Sequence, residues 1–389
     1  MIKFAYKQNS SQILEVRNDF IKTHMCTKAK EIIDLCEVES PEWHYALNKI
    51  LSYTNLIKIV FAKAEHLALI KNEFTRELPL ISERYNPQVF FMDLKVDNFY
   101  LSLKLNSKKN KAAVMSYKSH MLVELKRFEI TKKSRCANYI ATNLLAANTP
   151  SLVRKCLVTV QALSKGFPKE IKDNFNVIFP SWVNKFPEIF NYALLSSKFG
   201  YDIVGSSGLK VCPFCNEEKI NTVIGDNKNS RPALDHFYAK SKYPYLAVTL
   251  SNLIPIGGRC NTAFKSDEDM FDGYMNPLIS GMNDKQVFDF TYNALENTVS
   301  LEIKESDEFI LNKILFELNG VYNTDEYKGK YLDFKYLYDY HKGLGVSPPF
   351  YENAKLMAST FNISNDKNYF TWSAKKFELD ALDDIFKFE

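Results

Sequence analysis

Apolar positions over the first 200 residues recur mostly at three- and four-residue intervals, the spacing of helices with one buried face. Ser40-Pro41-Glu42 sets a capping residue, a proline at the first helical position and an acid in the first turn. Leu47, Ile50, Leu51, Ile57, Val60, Phe61, Ala64 and Leu67 follow, which predicts one long helix from there. Over residues 89–105 the period drops to two. Met92, Leu94 and Val96 alternate with Asp93, Lys95 and Asp97, and Phe99, Leu101, Leu103 and Leu105 alternate again, so a hairpin turning at Asp97-Asn98 is expected. Helical spacing returns at Val114, Tyr117, Met121, Leu125 and Phe128. Three Phe-Pro steps, Phe167-Pro168, Phe179-Pro180 and Phe186-Pro187, read as helix boundaries, because the residue before proline is steered away from helical angles.

Gly205-Ser206-Ser207-Gly208 is read as a flexible domain boundary. Beyond it, RPALDH predicts a short strand, NLIPI a second strand and RCNTAFKSDEDM the start of a helix. Strand-like runs at 286–292 and 299–303 and a helical run at 309–318 follow. The expected class is α+β: a mainly helical region over 1–205, a central unit over 206–275 and a mixed acidic region over 276–389. The tyrosine-rich stretch YNTDEYKGKYLDFKYLYDYH can stack bases, although buried tyrosines are the commoner outcome.

A chain of 389 residues fits two or three domains, and 46% hydrophobic with 25% charged residues is ordinary for a globular protein. No apolar run reaches the roughly 18 residues of a membrane helix, and the N-terminus MIKFAYKQNSSQ lacks a signal-peptide core. Seven cysteines, an odd number with only two at a motif spacing, fit a reducing cytoplasm rather than a disulfide framework. Cys26, Cys36, Cys136 and Cys156 lie in helical patterns and read as small buried hydrophobes. No phosphate-binding glycine loop is present, so nucleotide hydrolysis is expected only from a partner.

Charge is unevenly spread. Residues 266–389 carry 12 Lys and Arg against 23 Asp and Glu, while residues 1–265 carry 38 against 23. A basic front and acidic back suggest that a polyanion meets the first two-thirds of the chain; a biased solvated surface is the plainer account. The segment from Lys104 to Arg135 holds ten Lys and Arg against Glu124 and Glu129. Phosphate contacts and a solvated helix face explain it equally well.

The chemistry concentrates in the stretch from Val211 to Asp267. A CxxC pair, Cys212 and Cys215, is followed by Asp235-His236, then Asn252, then Cys260-Asn261 and Lys265. Asn261 and Lys265 share a helix face. Asp235 and His236, as strand neighbours, point to opposite faces unless they lie at a strand end or bulge. Asp and Asn oxygens suit a hard divalent ion such as Mg²⁺ or Mn²⁺, and a neutral histidine can take a proton from water near neutral pH. Lys265 can add charge against a phosphorane, and Asn252 can hydrogen-bond across the loop presenting His236. Cys212, Cys215 and Cys260 supply three of the four ligands that tetrahedral zinc wants, with the fourth unidentified. A redox CxxC would need a thioredoxin-like βαβ setting, which the pattern lacks.

This order of residues, CxxC…DH…N…CNxxxK, resembles the HNH or ββα-metal endonucleases over about 56 of 389 residues. The resemblance implies His236 as general base, Asn252 as the central asparagine, Asn261 in the third position and Asp235 as the metal-binding acid. LDHFYAKSKYPYLAVTLSNLIPIGGRCNTAFK is further similar to HNH nucleases of prokaryotic anti-phage systems of the Septu and retron-associated kind, which implies DNA as substrate and an ABC-type ATPase partner. The chain departs from the pattern at Gly257-Gly258-Arg259-Cys260, where the family usually has two cysteines. The competing expectation is a zinc-ribbon nucleic-acid-binding or adaptor protein whose His236 is a satisfied structural histidine. Asp235, Asn252 and Asn261 at these spacings favour catalysis.

Overall fold

The proline-led helix begins where the pattern sets it but does not run on. In this computed structural model, which describes residues 2–7, 10–345, 360 and 369–386, it ends at Ile50, and Tyr53–Val60, Ala64–His66 and Leu67–Glu77 follow as separate pieces. The apolar stripe is largely kept across the breaks: Leu47, Ile50, Leu51, Val60, Ala64 and Leu67 are buried, while Ile57 and Phe61 are half-buried. Periodicity therefore located the buried face, while the breaks let shorter helices turn around one core.

The chain divides into two units, each built from non-consecutive segments. One comprises Leu14–Leu195 with Tyr238–Leu250, and the other Met1–Ile13, Ser196–Phe237 and Ser251–Glu389. The first is helical. Its longest helix, Lys108–Lys132, is capped by the Ser107 hydroxyl and buries Val114, Tyr117, Met121, Leu125 and Phe128, the predicted stripe. Each such side chain contributes about 1.5–3 kcal/mol relative to exposure. Several of its charges are met locally: Lys126 pairs with Glu129, Arg127 with Glu124, and Lys118 donates to the carbonyls of Leu145 and Ala147. Buried Glu83 accepts from Ser134 Oγ at 2.5 Å and from the Arg135 and Cys136 amides at 3.0 and 2.8 Å, at the start of helix Arg135–Ala146. Tyr245, from the segment that follows His236 in sequence, stacks on Phe74 with centroids 4.0 Å apart.

The expected hairpin over 92–105 does not form. Asp97 accepts the Phe99 amide at 2.8 Å and starts the short helix Asn98–Ser102. An aspartate between alternating runs serves a turn and a helix cap equally well, and here the cap wins. Gly205-Ser206-Ser207 is likewise no linker: it ends the helix Tyr192–Ser207, with Gly208 at φ +66 in the left-handed position that follows many helices. Pro168 and Pro180 do stand just before new helices, Lys169–Lys172 and Ser181–Lys185.

The second unit is α+β. Among the described residues it carries three two-stranded antiparallel sheets: β1 (Val223–Ile224) with β2 (Asn229–Ser230), β3 (Ala233–His236) with β4 (Leu253–Ile256), and β5 (Phe288–Asn293) with β6 (Thr298–Ile303). The β5–β6 pair turns Phe288, Phe290, Val299, Leu301 and Ile303 inward, against helices Asp325–Gly343 and Lys375–Phe386. Tyr327, Tyr331, Phe334 and Tyr338 of the first of these helices are buried and only Tyr336 and Tyr340 are exposed, so most of its aromatic repeat is core rather than stacking surface. The N-terminal segment belongs to the same unit: the Ile2 amide donates to Pro213 O at 2.8 Å and that of Phe4 to Pro277 O at 2.9 Å. No helix among the described residues is long and apolar enough to cross a membrane.

Candidate metal centre and strand-end site

Two clusters of chemical groups lie in the α+β unit. The first is the cysteine centre. Cys212, Cys215 and Cys260 are 0%, 2% and 0% exposed, and their sulfurs lie within 4.8 Å of one another. The turn that builds it is CPFCN. The Asn216 amide donates to Cys212 O at 2.8 Å, and Asn216 takes φ +57, which swings the next peptides back under Cys215. The amides of Glu217 and Glu218 then donate to the Cys215 sulfur, each at 3.4 Å. Buried Asn216 fixes the turn to the C-terminal segment, donating to Tyr369 O at 2.8 Å and accepting from the Lys376 amide at 2.9 Å. Tyr322 adds a bond to Cys215 O at 2.7 Å.

Hydrogen bonds from the Cys212 and Cys260 thiols and from two backbone amides pull the Cys215 thiol well below its ordinary range. Hydrogen bonds with Cys212 and Cys215 push the Cys260 thiol up, and burial pushes Cys212 up. Proximity thus favours one shared thiolate, while a soft divalent cation would hold all three deprotonated. A buried set of three thiols with peptide N–H groups aimed at a sulfur suits zinc. Among the described residues no other His, Cys, Asp or Glu brings a ligand atom within 4.8 Å of all three sulfurs.

The second cluster sits at the open end of the β3–β4 pair. Register sets Asp235 opposite Ile254 and His236 opposite Leu253, and the Phe237 amide closes the end on Asn252 O at 3.0 Å. His236 is thus the last residue of its strand, where a neighbouring aspartate can serve the same locality. Asp235, His236 and Asn252 are 8%, 7% and 0% exposed. Asn252 closes the strand end through its backbone carbonyl. The helix after β4, Arg259–Lys265, is wound with i to i+5 bonds; the Ser266 amide donates to Asn261 O at 3.0 Å. That winding carries Asn261 partly exposed and Lys265 buried.

Lys265 does not stand free to meet a phosphate, as the sequence led us to expect. Its ammonium lies 3.1 Å from Asp235 Oδ1 and donates to the His236 carbonyl at 3.3 Å. Asp235 Oδ1 is thereby occupied, while Oδ2 is buried with no hydrogen-bond partner among the described residues. Burial lifts the Asp235 carboxyl above the usual carboxylate range; Lys265 and the His236 amide only partly offset it.

Sequence reasoning missed three participants. Asn216 has a legible signal, since a residue that tolerates the left-handed conformation after CxxC suits such a turn. Glu218 and Gly257 do not: the Glu218 carboxylate accepts the Arg259 amide at 3.1 Å and fills the space beside Gly257, a meeting made only by the fold. No family model, curated protein or solved structure matches the chain.

Proposed function

We propose that the chain is a metal-dependent HNH endonuclease that hydrolyses DNA phosphodiester bonds, acting as the nuclease of a prokaryotic anti-phage system beside an ABC-type ATPase. The observation that carries this reading is Asp235 Oδ2, a buried carboxylate oxygen without a hydrogen-bond partner among the described residues, one residue before a histidine that ends its strand. An orphaned buried oxygen costs free energy unless something else binds it. Hard oxygen donors, the Asp235 carboxylate with the Asn261 amide, fit Mg²⁺ or Mn²⁺, which are commonly held by one or two carboxylates with water and substrate phosphate completing the shell. When bound, such an ion supplies charge neutralisation on the scissile phosphate and the leaving oxygen.

His236, as general base, takes the proton of the attacking water. Lys265 is a positioning residue, fixing Asp235 and the His236 carbonyl together, and Asn252 holds the strand end closed. The basic front of the chain supplies phosphate contacts. The cysteine centre, loaded with zinc, would fix the CPFCN turn to the helix carrying Asn261, because Cys260 immediately precedes that asparagine.

One observation favours a zinc-ribbon nucleic-acid-binding or adaptor protein instead: Asp235 is already neutralised by Lys265, as in a structural pair. Plasmid incubated with the protein in Mg²⁺ or Mn²⁺, with and without a candidate ABC-type ATPase partner, separates the two. Nicking that disappears in a folded His236→Ala variant is expected for the nuclease. Equal nicking by that variant, or none by the wild type in either arm, removes it.

A further inference from the structure

We infer that Glu218 is the fourth ligand of the cysteine centre, making it a three-sulfur, one-carboxylate zinc site; this rests on the reading of the three thiols as a metal centre. Tetrahedral zinc needs four donors and the cysteines supply three. Glu218 stands three residues after Cys215 and is tied to it, its own amide donating to the Cys215 sulfur at 3.4 Å. Its two carboxylate oxygens have different fates. Oε1 accepts the Arg259 amide at 3.1 Å, one residue before Cys260. Oε2 is buried with no hydrogen-bond partner among the described residues, and a buried carboxylate oxygen without a donor calls for a ligand.

Gly257 explains why a carboxylate serves here. It lies three residues before Cys260, the spacing of a second CxxC pair, and its amide bonds to the Cys212 sulfur. A Cβ built on Gly257 would overlap the Glu218 carboxylate itself. Glu218 therefore fills the volume through which a side chain at position 257 would reach the sulfurs, and the glycine is what admits it. The carboxylate reaches the ion by rotation about its own side-chain bonds, since in this structure it is not within 4.8 Å of all three sulfurs. Oε1 keeps its place at the start of helix Arg259–Lys265 while Oε2 turns inward.

The test is made on the full chain loaded with Zn²⁺. Metal analysis should find one ion per chain, and X-ray absorption should give three sulfurs near ~2.3 Å and one oxygen near ~2.0–2.2 Å. In chelator competition Glu218→Gln should weaken zinc more than about 100-fold, beyond the roughly 10–100-fold typical of residues that only orient a ligand. The double variant Glu218→Ala with Gly257→Cys should recover affinity and show four sulfurs. Glu218→Gln with unchanged affinity overturns the assignment and leaves the three-thiol centre standing, and so does a four-sulfur or two-oxygen shell in the wild type. Wild type without zinc removes the centre itself and the assignment with it.

Discussion

Lys265 Nζ lies 3.1 Å from Asp235 Oδ1, with the lysine 3% and the aspartate 8% exposed. Two opposite charges withdrawn from water are costly apart and tolerable together, so removing one partner should cost far more than removing both. Lys265→Met leaves a buried carboxyl unpaired and should lose ~3–5 kcal/mol in urea unfolding, whereas Lys265→Met with Asp235→Asn should lose less than the single change. A single-variant loss below ~1 kcal/mol would show that the pair does not hold the strand end.

Glu83 gives a pH signature in the helical unit. Burial pushes its carboxyl up to about 7, against the opposing pull of Ser134 and the amides of Cys136 and Arg135. The fold therefore prefers the protonated acid. This group's contribution is fully present below the ordinary carboxylate range and is lost as pH rises through 7. Unfolding free energies of wild type and Glu83→Gln should converge or cross between pH 5 and pH 8. The variant is weaker at the acid end by ~1 kcal/mol for an impaired hydrogen bond and relatively stronger at the alkaline end. A constant difference across that range would refute the protonated acid.

What the sequence disclosed depended on how local the cause was. The stripe from Val114 to Phe128 lies on one continuous helix, so its period alone identified the buried side, and the strands around Asp235 and Ile254 were bounded by clear polar stops. At Asp97 the same alternation that suggests a strand was overruled by one side chain bonding a nearby amide. Lys265 was legible as a neighbour of Asn261 on a helix but not as a buried cation, because its partner arrives from β3. Glu218 was invisible for the same reason: its meaning depends on Gly257, distant in sequence and lacking the side chain that would have excluded it.

Thiol chemistry reads the cysteine centre independently of any catalytic activity. With zinc bound, Cys212, Cys215 and Cys260 should resist a soluble disulfide reagent, being buried and metal-held. After chelation, three further thiols should titrate. Cys212→Ser should abolish that difference and lower the melting temperature of the zinc-loaded protein to that of the chelated wild type, since a metal held only by the folded state stabilises it by mass action. Identical thiol titration with and without chelator would mean that the centre holds no ion.

The strand-end site predicts a division of labour between Asp235 and His236. If Asp235 Oδ2 is the atom an ion completes, Asp235→Asn should raise the Mn²⁺ concentration needed for half-maximal nicking while the reaction at saturating metal survives in part. His236→Ala removes the base and not the ion. Its maximal rate should fall by about 10²–10⁴-fold at every metal concentration, with partial return when imidazole is supplied in the buffer. Asn261→Ala should follow Asp235→Asn rather than His236→Ala, because its amide is assigned to the ion and not to the proton. A common loss of maximal rate in all three variants, with no change in metal dependence, would place Asp235 and Asn261 in the framework and leave His236 without the ion that the mechanism requires.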